Sequence, residues 1–192
     1  MIEPLLFPVP RLIETPRLIL RPFRAGDAPL LREALMESVA DLRHFLWFLP
    51  WVAEEPTPES TEIRCRRAEA NFMLRTDLPY LVFERSRGTL LGSAGLHRTD
   101  WQLPKTEVGY WTRTSATRQG YASESVNALT SWALQQLGAQ RVELVTDEQN
   151  FASRRVAERC GFALEGISRN VQRAPDGSLR SNCIYARFPT VA

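Results

Sequence analysis

Cysteine is scarce in this chain. Cys65, Cys160 and Cys183 are odd in number and form no CxxC pair, which argues against a disulfide framework or a zinc site and fits a reducing cytoplasm. A surplus of one charge is also missing. The 24 Lys and Arg residues against 22 Asp and Glu leave a net charge of +2, too even a balance to indicate nucleic acid or an anionic membrane surface as a partner. No apolar run approaches the ~18 residues that a membrane-spanning helix needs. The opening MIEPLLFPVPRLIETPRL lacks the basic n-region and unbroken apolar core of a secretory signal, so a cytoplasmic location is expected. Internal repeats and low-complexity tracts are absent as well. What is present is ordinary for a globular protein: 44% hydrophobic and 24% charged residues. The 192 residues suit one domain, 1–192, with a sizeable buried core.

The order of elements is mixed α/β. RLILRPF (17–23) reads as a strand. AGDAPLLREALMES (25–38) follows a cap-like Asp27 with apolar residues at helical spacing. VADLRHFLWFLPWV (39–52) gathers bulky and aromatic residues around Pro50. The segment 57–75 opens with Thr57, Pro58 and Glu59, the start of a helix. YLVFER (80–85) and TLLGSAGLHR (89–98) read as a hairpin, and TEVGYWT (106–112) as a further strand. RVELVTD (141–147) is a largely buried strand, and SRRVAERCG (153–161) a short helix stopped by Gly161. ALEGISRNVQR and NCIYARF close the chain as a hairpin around Asp176-Gly177.

The most informative stretch is ATRQGYASESVNALTSWALQQLG (116–138). Ala122, Val126, Leu129, Ala133 and Leu137 make one apolar stripe. The first turn of such a helix carries free N–H groups and partial positive charge. A glycine before it lets a ligand approach the backbone, so the segment suits an anion, most naturally phosphate; Arg113 and Arg118 add positive charge. The residues alone leave a second reading open, in which Gly120 makes a turn and Ser123 caps the helix. The stretch is neither a P-loop nor a dinucleotide fingerprint, since no GK[ST] follows and G-x-G-x-x-G is missing.

Downstream, Asn150 and Ser153 form N-x-x-S, and ERCGFALEG follows. Together with GYWTRTSATRQGYASES, these residues resemble the acetyl-CoA-binding core of the GNAT superfamily of N-acetyltransferases. ETPRLILRPFRAGD and FLWFLPWV are similar to its branch that acetylates ribosomal-protein N-termini. The resemblance spans roughly residues 12–188. It implies a single α/β (α+β) domain with a mixed, mostly antiparallel sheet that splays at its centre between flanking helices. It implies acetyl-CoA as co-substrate, no metal, and an amine acceptor, most naturally a protein N-terminus. On the same basis Trp111 and Thr112 would pair with the pantetheine arm. Arg118, Gln119, Gly120, Tyr121, Ala122 and Ser123 would cradle the pyrophosphate. Asn150 would hold the pantetheine, and Ser153 would lie near the thioester sulfur.

The sequence departs from the family pattern at two places. Thr117 stands where Gln or Arg commonly opens the phosphate loop. Ala157 stands where many members carry a tyrosine acid, so protonation of the leaving thiolate falls to Ser153 or to water. Ser153 could equally be only a helix cap.

Base candidates are Glu107, the first choice, and His97, since histidine is the side chain most often used to move protons at neutral pH. Each has a structural reading, as an edge ion pair and as a hydrogen-bonded surface histidine. Deprotonating an N-terminal amine at pH 7 costs about 1 kcal/mol against about 4.6 for a lysine, so an N-terminus asks less of a base. Cys160 reads as core, not nucleophile. The aromatics Phe45, Trp47, Phe48 and Trp51 suit either the core or one wall of the acceptor cleft. Small amines, such as a polyamine or an amino-sugar drug, are the alternative acceptors. A non-catalytic acyl-CoA-binding module is the alternative outside enzymes. An aromatic-rich surface could support a homodimer.

Overall fold

A computed structural model describes residues 3–190. One sheet of eight strands runs in the order β1-β2-β3-β4-β5-β6-β8-β7. The strands are β1 (Ile13–Glu14), β2 (Leu18–Pro22), β3 (Leu78–Glu84), β4 (Leu90–Asp100), β5 (Lys105–Thr112), β6 (Arg141–Asp147), β7 (Ala163–Arg173) and β8 (Leu179–Arg187). The helices are α1 (Ala28–Leu46), α2 (Pro50–Ala53), α3 (Pro58–Leu74), α4 (Tyr121–Gln135) and α5 (Phe151–Arg159). All pairings are antiparallel except β5 with β6. Parallel neighbours need a long crossover, and α4 supplies it.

Local chemistry explains most boundaries. Thr57 caps α3, with Pro58 in the first turn and Ser60 completing a reciprocal capping box. Gly161 (φ +75°) takes the left-handed conformation just after α5. The aromatic segment 39–52 divides where Pro50 starts α2, so α1 extends to Leu46. Three details differ from the sequence reading. A two-residue strand, β1, pairs with β2. Leu137 lies beyond the end of α4, although it still packs on the core. Ser123 does not cap α4, whose N-cap is Gly120.

Two apolar layers cover the sheet. On one face, Leu20, Tyr80, Leu96 and Val108 pack with Val126, Leu129 and Ala133 of α4. On the other, Leu81, Phe83 and Trp111 meet Leu31 and Leu35 of α1 and Cys65 of α3. Each fully buried leucine contributes roughly 1.5–3 kcal/mol. Alternation along β5 sends Tyr110 to the α4 face and Trp111 to the α1 face. That division separates the two sides of the site.

Candidate active site

The sheet opens between β5 and β6. Their pairing covers only Lys105–Glu107 against Arg141–Glu143, after which β6 continues against β8 alone. The Arg113 N–H donates to the Leu91 carbonyl at 2.7 Å, which fixes the phase of the β4–β5 ladder. Odd residues of β5 turn their backbone groups to β4, and even residues turn theirs toward β6. Beyond Glu107, the backbone groups of Val108, Tyr110 and Thr112 therefore face the opening. Of the two residues that the resemblance assigns to the pantetheine arm, Thr112 has its backbone groups at this edge, whereas Trp111 turns its own to β4 and contributes a buried indole to the α1 face.

The loop into α4 lies at one end of this opening. Arg118 (φ +62°) and Gly120 (φ +82°) both adopt the left-handed conformation. No side chain caps α4, so the amides of Tyr121, Ala122 and Ser123 stay available at its positive end. Arg17, immediately before β2, braces this loop. Its Nη1 donates to the Gln119 carbonyl at 3.0 Å and its Nε to Glu124 at 2.6 Å, and its guanidinium covers the Tyr121 ring at 4.7 Å. Burial opposes ionisation of Glu124, but hydrogen bonds from Thr15 and Arg17 hold its carboxyl below the usual range. The negative charge in the first turn is thereby answered by Arg17.

Arg113 has a different role from the one its charge suggests. It pairs with Glu33 and Glu37 of α1. Glu37 also accepts from the Ser115 N–H at 2.7 Å, and Asp41 from the Thr114 hydroxyl at 2.6 Å. An acidic residue every fourth position of α1 thus grips segment 113–115. Arg113 is committed to this clamp, and Arg118, exposed, is left as the cation of the loop.

Asn150 and Ser153 lie across the opening, at the start of α5. Asn150 is the N-cap, its Oδ1 accepting from the Ser153 N–H at 3.1 Å. The capping role that the sequence left open for Ser153 therefore belongs to Asn150. The Ser153 hydroxyl instead accepts from the Tyr110 hydroxyl at 2.9 Å. Burial pushes the Tyr110 phenol up, so it remains a proton donor at neutral pH. Tyr110 places a phenol in the site although Ala157 occupies the position where the family pattern would put one.

His97 sits on the α1 face of the sheet. Its Nδ1 is 3.1 Å from Asp77 Oδ1. Its Nε2 lies over Gly95 and Gly109, where a Cβ on either glycine would come within 3.1 and 3.3 Å of it. Glycine at those two positions makes room for the imidazole beside the central strand. Glu107 is engaged otherwise: Arg98, at a left-handed bulge (φ +52°), donates its Nε to Glu107 at 3.0 Å. Trp51 packs on Trp111 from the same face, with ring centroids 6.1 Å apart. Across the opening, Arg180 lies 5.7 Å from the rings of Phe45 and Trp47 and pairs with Asp147 at 2.9 Å. Phe48 is exposed. Among the described residues, no cluster of His, Cys, Asp or Glu could hold a metal ion, and no helix is long and apolar enough to cross a membrane.

An open strand edge, a bare helix terminus and a paired hydroxyl at the next helix form one constellation. The family model described as acetyltransferase (GNAT) domain matches residues 17–163. The chain belongs to this family. It is a GNAT N-acetyltransferase by that membership, and its mixed, splayed sheet is the fold implied by the resemblance. A Bacillus subtilis (strain 168) protein, YdaF, provisionally named a ribosomal N-acetyltransferase, is 29% identical over 151 residues, 75% of this chain and 76% of its own. Among solved structures, RimL, a ribosomal L7/L12 α-N-protein acetyltransferase in complex with coenzyme A, superposes with TM-score 0.84 at 23% identity. That match covers 93% of this chain and 98% of RimL. The microcin C7 self-immunity acetyltransferase MccE, in complex with acetyl-CoA and AMP, superposes with TM-score 0.83 at 17% identity, covering 94% and 97%. At these identities both structures speak to the fold.

Within this GNAT scaffold, three residues went unread in the sequence as parts of the site. Tyr110 carried a signal, a polar aromatic next to Gly109 on the central strand. Asp77 and Arg17 carried none, because their partners lie 20 and 107 positions away.

Proposed function

We propose that this GNAT protein binds acetyl-CoA in the β5–β6 opening and transfers its acetyl group to a protein N-terminus. The observation that carries the reading is the open edge of β5 leading from the uncapped end of α4 to the Tyr110–Ser153 pair. The residues fit the co-substrate's chemistry: free amides at a positive helix end for a pyrophosphate, and an unpaired strand edge for the amides of a pantetheine arm. Arg118, Gln119, Gly120, Tyr121, Ala122 and Ser123 cradle the pyrophosphate, while Thr112 and Asn150 orient the arm.

Bound acetyl-CoA supplies the acetyl group as an activated thioester. The chain's own residues align the reactants and move two protons. Alignment alone can be worth on the order of 7–11 kcal/mol in the best cases. On the α1 face His97 accepts the proton of the incoming ammonium at Nε2, with Asp77 fixing the ring at Nδ1. The neutral amine forms the new C–N bond as the C–S bond breaks. On the α5 face Ser153 delivers its hydroxyl proton to the departing sulfur and regains one from Tyr110; the second proton that the nitrogen loses as the amide forms returns through water to the Tyr110 oxygen, and His97 releases the first to solvent. Glu107, held by Arg98, shapes the strand and is not the base. The names of YdaF and RimL support a ribosomal protein as acceptor.

Acetyl-CoA should raise the melting temperature, since it binds only the folded state, and ATP and NAD should do so far less. Thiol release should then be fastest with N-terminal peptides and slow with polyamines and amino sugars. Equal stabilisation by all three nucleotides would remove the acyl-CoA assignment, and faster release with the small amines would remove the N-terminal acceptor. A second expectation concerns the brace. Arg17→Ala should weaken acetyl-CoA binding about tenfold, or 1.4 kcal/mol, by freeing Gln119 and leaving Glu124 unanswered beside the phosphates. Titration calorimetry on folded protein measures it, and an unchanged Kd would mean the loop holds its shape unaided.

A further inference from the structure

The strongest unassigned feature is a cation facing inward. Arg64, on α3, is only partly exposed; its Nη1 is sealed from solvent and has no hydrogen-bond partner. Its guanidinium lies 3.5 Å over the ring of Trp51. Arginine at a surface ordinarily keeps its charged head in water and buries its stem; here the head is turned in. The acids Glu62 and Glu69 of α3 and Asp27 at the start of α1 are committed elsewhere. Glu62 pairs with Arg66 and accepts from the Gly26 N–H, Glu69 accepts from the Ala25 N–H, and Asp27 pairs with Arg21. Among the described residues no ion pair involves Arg64. Burial lowers its pKa to about 9, which leaves it a cation at neutral pH.

A second donor stands close by. Trp51 packs on Trp111, whose Nε1 is also buried without an acceptor. Two donors with no acceptors sit on one aromatic chain, on the face of the sheet where His97 lies over Gly109. An unpaired charge out of water is costly, and an apolar side chain would fill the same space without that cost. A guanidinium there matches an arriving anion instead, and its planar fork suits a carboxylate.

We propose that Arg64, with Trp51 and Trp111, forms a subsite for a carboxylate of the acceptor, supplied by an Asp or Glu side chain near the N-terminus of an acidic peptide. The proposal rests on the acceptor reading above. The path from Gly109 through Trp111 and Trp51 to Arg64 takes about 6.7 Å for two strand residues, the reach of the Trp111 side chain and the two ring distances, on the order of 20 Å in all. An extended peptide covers that in about six residues. The acid therefore belongs within about the first six residues of the acceptor.

The test uses peptide pairs that share an N-terminal residue and differ only by Asp or Glu against Asn or Gln at one of positions two to six. Wild-type protein should favour the acidic member at least tenfold in kcat/KM, mainly through KM. The ratio should fall toward one in Arg64→Met and stay intermediate in Arg64→Lys, with folding checked by the thermal shift that acetyl-CoA produces. Thermal shift by each peptide with CoA present reads binding apart from turnover. Equal binding of the acidic and neutral members to wild-type protein overturns the subsite, whether or not acetyl transfer occurs and however the variants fold. Preferential binding without acetylation of either peptide supports the subsite and faults only the acceptor reading.

Discussion

Arg180→Met should lower stability by about 3–5 kcal/mol, the range for breaking one side of a buried ion pair. Asp147 and Arg180 are each 8% exposed, and their side chains meet at 2.9 Å. The contact joins Arg180 Nη2 to Asp147 Oδ1, while Asp147 Oδ2 and Arg180 Nε are buried with no hydrogen-bond partner, so each charge depends heavily on the other. Removing the guanidinium strands a buried carboxylate and takes away the cation that Phe45 and Trp47 face. The damage should reach function as well. Asp147 Oδ1 accepts from the Gln149 N–H at 2.7 Å, which shapes the turn into Asn150 and α5. For a chain of this length, where 1 kcal/mol shifts Tm by about 2–4 °C, the loss corresponds to roughly 10 °C. The double variant Asp147→Leu/Arg180→Met removes both charges and should recover most of it. Calorimetry on the wild type, both single variants and the double variant decides the matter. Single-variant losses under about 1 kcal/mol would show that the pair is already solvated.

The sequence disclosed what local signals can carry. Thr57-Pro58 opens a helix, Gly161 closes one, and Asp176-Gly177 turns a hairpin, and each of these depends on neighbours within a few residues. The uncapped start of α4 was legible for the same reason, since Gly120 and the amides it uncovers lie in one short stretch. The splay was not readable from pattern alone. It exists because β5 and β6 pair for three residues and then part, a matter of how strands joined by α4 meet at long range.

Charge was the least legible property. Arg113 looked like a phosphate ligand, yet it belongs to the acids of α1 that face it only in the fold. Glu107 looked like a base, yet the left-handed Arg98 returns its guanidinium to that carboxylate. Arg64, within IRCRR, has nothing in its local sequence to set it apart from Arg66 and Arg67, and only packing against Trp51 shows its head turned inward. Tyr110 was hidden by a different mechanism. The family pattern directs attention to position 157, on α5, whereas the phenol here arrives from the central strand and meets Ser153 across 43 positions.

Ser153→Ala should reduce the rate of acetyl transfer roughly 10- to 1000-fold, the range for losing an acid or an oxyanion-type donor. The Ser153 hydroxyl has one partner, Tyr110, which donates to it. Its own proton is thus free to point toward the departing sulfur. KM for acetyl-CoA should change little, because the interaction matters most as the thiolate forms. Stability should also change little, because Asn150 caps α5 through the Ser153 backbone amide, which alanine retains. Tyr110→Phe removes the relay's second proton while keeping the ring, so it should slow transfer about tenfold. The two losses should not add. Once Ser153 is alanine, Tyr110 has no hydroxyl to feed, and Ser153→Ala/Tyr110→Phe should match Ser153→Ala within about twofold. Single-turnover measurements with an N-terminal peptide separate transfer from product release. Independent, multiplying losses would mean that Tyr110 reaches the sulfur by its own route. A wild-type rate in Ser153→Ala would assign the proton to water and leave the Tyr110–Ser153 bond a packing contact between β5 and α5.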